Sequence, residues 1–393
     1  MGGRIHVGAA PNYELIFAKL PQTTQLNTQQ TELIRGQLAK IGVGLDLARQ
    51  LKDMPRGRFS VKFSDDAFST LIPDHQNARQ MAEWLQHDAY LLAQEEKCDE
   101  AALSCLAIIN AGRAMEGELF LISDLIRIAM NSIAVDALER VLAQGTLKEE
   151  TMQLLQPTLE RESRNNHWLA AIRGERAMHH HLFENIRAGK VKASWLGSMT
   201  KGGPPTPQDW LFDLFPSTLL KHYPDHLRHM NRCVEIAKVP IHERGAKLQE
   251  WEAEIKKTPN VLTKLLAPAL AKVHMAESRS QSILRSAAAA LACERYRLRH
   301  KDWPAALDVL VKEKLLDAVP LDPVDGQPLR YRRTKEGVVI YSIGVDKTDN
   351  QGHIDREHPI DPGVDIGFRL WDPRLRRQDA RPPVAPPEVD GPR

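Results

Sequence analysis

Six carboxylates crowd the stretch "YSIGVDKTDNQGHIDREHPIDPGVDIGF", residues 341–368: Asp346, Asp349, Asp355, Glu357, Asp361 and Asp365. Only Lys347 and Arg356 oppose them, so six negatives against two positives leave a formal surplus of four. Like charges a few ångströms apart repel by about 4 kcal/mol per pair at an effective dielectric of about 20. Such a loop is either splayed into water or gathered around a cation. Ca²⁺ suits the second case, because it takes about six to eight oxygens and a loop can wrap carboxylates and carbonyls around it. Asp346 to Glu357 also has the first-to-twelfth interval of an EF-hand. That reading fails in detail: the glycine falls at position seven, position three is Thr348, and strand-like residues flank the loop.

Other groups with metal or nucleophile chemistry are less well placed. His222, His226, His229 and Cys233 recur at intervals of four, three and four, which puts them on one helical face and within the repertoire of Zn²⁺. Pro224 interrupts the stripe, so the helix is expected to begin near it and His222 to leave the line; ordinary helix positions are the preferred reading. His179, His180 and His181 are consecutive, about 100° apart on a helix, and cannot converge on one ion unaided. In the same segment Glu175 and Arg176 are read as buried ion-pair partners that fix helix packing. No G-x-S-x-G, H-E-x-x-H, G-x-G-x-x-G or phosphate-loop pattern occurs, and "HERG" at 242–245 lacks the second histidine. The cysteines Cys98, Cys105, Cys233 and Cys293 form no C-x-x-C pair and read as small buried hydrophobes. A basic set, Arg295, Arg297, Arg299, His300, Lys301, Arg330, Arg332 and Arg333, is read as a solvated face rather than a partner surface.

The elements that must position these groups are mainly helical. From about Thr31 to His300 apolar residues recur at helical spacing, with breaks at turn residues. In "ARQMAEWLQHDAYLLAQEEKCDEAALSCLAIINAGRAM" one face carries Met81, Trp84, Leu85 and Leu92, and after a polar break at Glu95 to Asp99 a second carries Ala102, Leu103, Leu106 and Ile109. This predicts an antiparallel helix pair, loosely like a tetratricopeptide hairpin but without a repeat at 34 residues. Further helices are expected at Leu119–Ala143, Lys148–Arg161, His167–Arg187, Ser217–Lys238 and His242–Lys256. After His300 come a short helix opened by Pro304, the turn-rich "VPLDPVDGQPLRYRR", and strand-like "GVVIYSIG" and "VDIGFRLWD". The expected architecture is an irregular array of antiparallel helix pairs followed by a small α+β module. Its divisions fall at 1–30 (extended), 31–198 (helical array), 199–282 (second helical subdomain after the joint "MTKGGPPTPQDW"), 283–371 (α+β) and 372–393 (disordered, Pro-rich).

The ordered set "ALACERYRLRHKDWP", "AALDVLVKEKLL", "PLDPVDGQPLRY", "YSIGVD" and "VDIGF" resembles the C-terminal globular part of the major pseudopilin of type II secretion systems, over roughly 283–370. It also looks like a group of uncharacterised bacterial proteins carrying this module behind a long helical region. The pseudopilin module holds one calcium ion in its final loop. Matched by position, the resemblance implies Asp346, the carbonyl of Ile343 or its neighbour, and Asp365 as ligands, with Asp349, Asp355, Glu357 and Asp361 in reserve. Lys347 stands where the family has glycine, and the insert "KTDNQGHIDREHPIDPG" is longer than usual. The pseudopilin's processed N-terminal helix has no counterpart, so its secretion role does not carry over.

With 393 residues, 42% hydrophobic and 26% charged, the chain is an ordinary globular one. A net charge of +2 gives no nucleic-acid footprint, and no window approaches a membrane span. The expectation is a non-enzymatic scaffold or protein-binding protein with a calcium-stabilised terminal module; the alternative is a metal-dependent enzyme centred on the histidine stripe or the acidic loop. Calcium modules of this class fill at about 10⁻⁴–10⁻³ M, which favours the cell envelope, whereas the polar N-terminus lacks an export signal and favours the cytoplasm.

Overall fold

Helical periodicity in the first three quarters of the chain becomes helices that pair antiparallel, in a computed structural model that describes residues 20–65, 69–196, 204, 206–258, 260, 263–264 and 268–382. Helix α1 (Thr28–Gln50) opens on a capping box: Asn27 Oδ1 accepts the Gln30 amide at 2.9 Å and Gln30 Oε1 accepts the Asn27 amide at 3.0 Å. Helices α2 (Pro73–Gln94) and α3 (Cys98–Arg113) form the expected hairpin, turning through Glu96 with φ 64°. Leu85, Ala102, Leu106 and Ile109 are buried as their spacing predicts, and Met81, Trp84, Leu92 and Leu103 pack partly buried against them. Next come α4 (Leu121–Gln144), α5 (Glu149–Arg164), α6 (His167–Arg187), α7 (Pro207–Leu214), α8 (Ser217–Leu220), α9 (Tyr223–Lys238) and α10 (Ile241–Lys257). The helix expected over 217–238 is split, because Pro224 sits in the first turn of α9 and α8 ends before it.

Helix α11 (Pro268–His300) joins the halves of the molecule. Its small residues Ala287, Ala288, Ala289, Ala290 and Ala292 are buried, and α4, α5 and two strands pack on it. After α12 (Leu307–Lys312), β1 (Arg330–Thr334), β2 (Gly337–Ser342) and β3 (Ile366–Trp371) form an antiparallel sheet in that order, aligning Tyr331 with Ile340 and Ile340 with Phe368. Central β2 is buried throughout, hence its unbroken apolar run, while β1 carries Arg330, Arg332 and Arg333 on the edge, where charge discourages further pairing.

Two of the expected divisions dissolve. The boundary at 282/283 falls inside α11, and one hydrophobic core runs from Leu38, Leu85 and Leu138 through Leu291 to Ile340 and Phe368. The sheet is therefore built onto the array rather than hung behind it. A smaller core around Trp168, Met230, Leu248 and Trp251 holds α6, α9, α10 and the first part of α11 together.

The segment beginning at 372, expected to be disordered, is held by hydrogen bonds as far as Gln378. Pro373–Leu375 forms a 3₁₀ turn, and Arg376 is 7% exposed. Arg376 makes a bidentate pair with Glu294 of α11 (2.8 and 2.9 Å), and Arg297 grips the same carboxylate at 2.9 and 2.7 Å. Arg377 donates to the Ala93 and Gln94 carbonyls at the end of α2, and the Gln378 amide donates to Thr23 O at 2.7 Å. Arginine-rich polar sequence reads as solvated; here it is anchored because helix ends and a buried carboxylate need donors. Residues 383–393 of the expected tail, 1–19 of the N-terminal segment and half of the Gly/Pro joint (199–203 and 205) lie outside the described residues.

Burial alone would raise the Glu294 pKa; the two guanidiniums outweigh it and hold the carboxyl below its ordinary value of 4.5. A depressed folded pKa means that this contribution is present above pH 4.5 and is lost as pH falls through the folded pKa. Arg376→Ala, which strands Glu294 with one partner, is expected to cost about 3–5 kcal/mol in urea unfolding. Glu294→Gln is expected to flatten the stability profile below about pH 4.5.

Candidate functional site

The acidic loop is a closed knot of carboxylates and backbone amides. It joins β2 to β3 and coils through residues of positive φ: Gly344 (67°), Lys347 (60°), Gln351 (60°), Gly352 (77°) and Gly363 (88°). A side chain at Gly344 would set its Cβ 2.2 Å from Val364 O, so the two loop ends meet only because residue 344 is glycine. Each turn aims N–H groups at an aspartate. Asp346 accepts from the Thr348 amide (3.0 Å), the Gly363 amide (2.8 Å) and Asn350 Nδ2 (3.2 Å). Asp365 accepts from the amides of Asn350 (3.3 Å) and Gly352 (2.8 Å). Asn350 thus bridges the two aspartates that the pseudopilin resemblance pairs.

Their electrostatics diverge. Backbone donors hold the Asp346 carboxyl below its ordinary range. Asp365 is pushed up, first by burial and further by the carboxylates of Asp349 and Asp346, against the pull of its two amides. The remaining expected ligands are deployed differently. Asp349 accepts from the Tyr341 hydroxyl at 3.0 Å and the Gln351 amide at 2.8 Å. Asp361 is exposed, with its amide donating to His358 O at 3.2 Å. The Ile343 amide donates to Asp322 at 3.1 Å. Asp355 caps the amides of Glu357 and His358. Among the described residues no three His, Cys, Asp or Glu side chains converge as a metal-holding group. Asp346 and Asp365 supply two hard carboxylates in one coiled loop with a surplus of negative charge, the type of oxygen donor that Ca²⁺ takes.

Sequence reasoning missed Asp322, within the "LDPVDG" turn. It is fully buried and accepts from the Ser342 hydroxyl (2.7 Å), the Ile343 amide (3.1 Å), the Val324 amide (2.8 Å) and Arg330 (2.5 Å), locking the end of β2 on which the acidic loop stands. An Asp directly before Pro in a turn was the available signal.

The histidine stripe does not converge. His222 precedes α9 and His229 lies 3.8 Å from Asp225. Cys233 sits in the Trp251 core. His226 instead bonds His179 at 2.9 Å and Thr263 at 3.2 Å; burial lowers their pKa values to about 4 for His226 and about 3 for His179. So one histidine from each run meets the other inside the fold. Glu175 and Arg176 are not partners: Arg176 turns to Asn231 at 2.8 Å, and Glu175 accepts the Leu121 amide at 3.1 Å. Most of the basic set is paired internally: Arg295 and Arg299 with Glu149, Arg297 with Glu294, Arg330 with Asp322 and Asp325, and Arg333 with Asp302. All four cysteines are free and buried. No helix is long and apolar enough to cross a membrane among the described residues. Comparison with family models, curated proteins and solved structures finds no match to this chain.

Two substitutions test the loop's construction by urea unfolding. Asp322→Ala leaves two buried donors, the Ser342 hydroxyl and the Ile343 amide, without their acceptor and removes one of the two carboxylates on Arg330, and is expected to cost about 2–3 kcal/mol. Lys347→Gly relieves a lysine held at φ 60° and is expected to stabilise by up to about 1 kcal/mol.

Proposed function

We propose that the protein is a non-enzymatic scaffold that binds a protein partner, with a C-terminal α+β module of pseudopilin type whose final loop is stabilised by Ca²⁺. The observation that carries the calcium reading is the meeting of Asp346 and Asp365 across Asn350. A divalent cation there would offset both the burial that mainly raises Asp365 and the repulsion from Asp349 and Asp346 that adds to it. The partner-binding reading is supported by α7 and its exit, where Trp210 (56% exposed), Leu211 (54%), Leu214 (71%) and Phe215 (59%) present large apolar side chains to solvent. The calcium would brace the loop and take part in no reaction.

Unfolding in 1 mM Ca²⁺ and in excess chelator tests this. For a dissociation constant of about 10⁻⁴ M, linkage gives about 1.4 kcal/mol of added stability in calcium. Asp346→Asn combined with Asp365→Asn is expected to remove the difference while leaving the chain folded. Equal stability of the wild-type chain in both buffers would remove calcium from the account.

A further inference from the structure

A second site lies far from the acidic loop in sequence, where the N-terminus of α4 meets α6. Ile72, Phe120, Leu121, Ile122, Leu125 and Met178 wall a cavity of about 290 Å³. That is close to the lower limit of small-molecule pockets. Glu175 is the single charged side chain on its wall. Gly174 makes the arrangement possible: a Cβ there would lie 1.9 Å from Leu119 O, so α6 approaches the 119–121 strand of chain closely enough for Glu175 to reach in.

Glu175 has no cationic partner among the described residues. Its Oε1 accepts the Leu121 amide at 3.1 Å, a helix-capping contact. Its Oε2 lies 3.8 Å from His179 Nε2, beyond hydrogen-bond reach, and burial keeps that imidazole neutral at neutral pH, with a pKa of about 3. Neighbouring Arg176 is turned to Asn231. Among the described residues no lysine or arginine pairs with Glu175, and burial pushes its carboxyl up to about 7. Helix capping uses one oxygen and needs no charge. A mostly buried acid on the wall of an otherwise uncharged cavity is what a ligand's cationic group would complete.

We infer that this cavity binds a small organic amine, its apolar body against the wall of Phe120, Ile122 and Met178 and its ammonium group on the free oxygen of Glu175. A peptide lysine carries the same ammonium on a thin linear chain, but the aromatic and branched walls favour a free arylalkyl amine.

Calorimetric titration of the full chain at pH 8 with phenethylamine, 2-phenylethanol and Nα-acetyl-lysine methylamide tests the assignment. Phenethylamine is expected to bind at least tenfold more tightly than the isosteric alcohol, and more tightly than the lysine derivative. Glu175→Gln, which keeps the cap and the volume, should abolish the preference for amine over alcohol. Ile122 is 45% exposed at the cavity wall, so Ile122→Lys should fold normally and exclude phenethylamine with its own ammonium. Equal binding of amine and alcohol, no saturable binding of phenethylamine, or retention of the preference in either variant would overturn the assignment. Tighter binding of the lysine derivative would overturn the free-amine source.

Discussion

A carboxylate clasped by two guanidiniums fixes how this molecule is assembled. Glu294 lies fully buried in the middle of the structure, and Arg297 on its own helix and Arg376 from the C-terminal segment each meet it with two hydrogen bonds. Without Arg376 that buried carboxylate would keep Arg297 alone, so the pair ties the segment carrying Arg376 to α11. Its path then lets Gln378 pair with Thr23 and Gln25, while Arg140 holds the Thr24 carbonyl at 2.8 Å. The two termini of the described chain are thereby stitched to the ends of α2 and α4. A second buried acid, Glu139 of α4, extends the principle to the sheet by accepting the Arg369 amide at 2.9 Å and the Arg356 guanidinium.

These contacts explain why local features were legible in the sequence and the assembly was not. The α2–α3 hairpin, the helices ending near Arg161, Arg187 and Lys256, the break at Pro224 and the strands around Val338–Ile340 and Gly367–Leu370 are written in periodicity and turn chemistry, which act over a few residues. By contrast Arg376 and Glu294 are 82 positions apart, and Arg369 and Glu139 are 230. Nothing near Arg376 marks it as buried, so "RLRRQD" reads as solvated. The division at 283 fails likewise: the change in composition after His300 is real, but the alanine run within α11 belongs equally to the array and the sheet.

The site was partly legible for related reasons. Asp346 and Asp365 share Asn350 as a donor, yet the principal neutralising groups drawn around them are backbone amides, which no side-chain count can anticipate. Residue 347 shows how such a loop tolerates strain: a left-handed position suits glycine, and lysine adopts that conformation here at a cost of roughly 1–2 kcal/mol. Asp322 goes unmarked in the sequence and Glu175 reads there as the partner of Arg176, because each answers a backbone need, at the end of β2 and at the start of α4, that exists only once the chain is folded.

The central structural claim is that helices and sheet form one cooperative body around α11. Native-state hydrogen exchange tests it most directly. Amides of Ile340 and Phe368 in the sheet and of Ala288 and Leu291 in α11 are expected to exchange through a single opening with the same free energy and denaturant dependence. If the sheet amides exchange through a distinctly cheaper opening while those of α11 stay protected, the terminal module is a separate unit and the account is wrong.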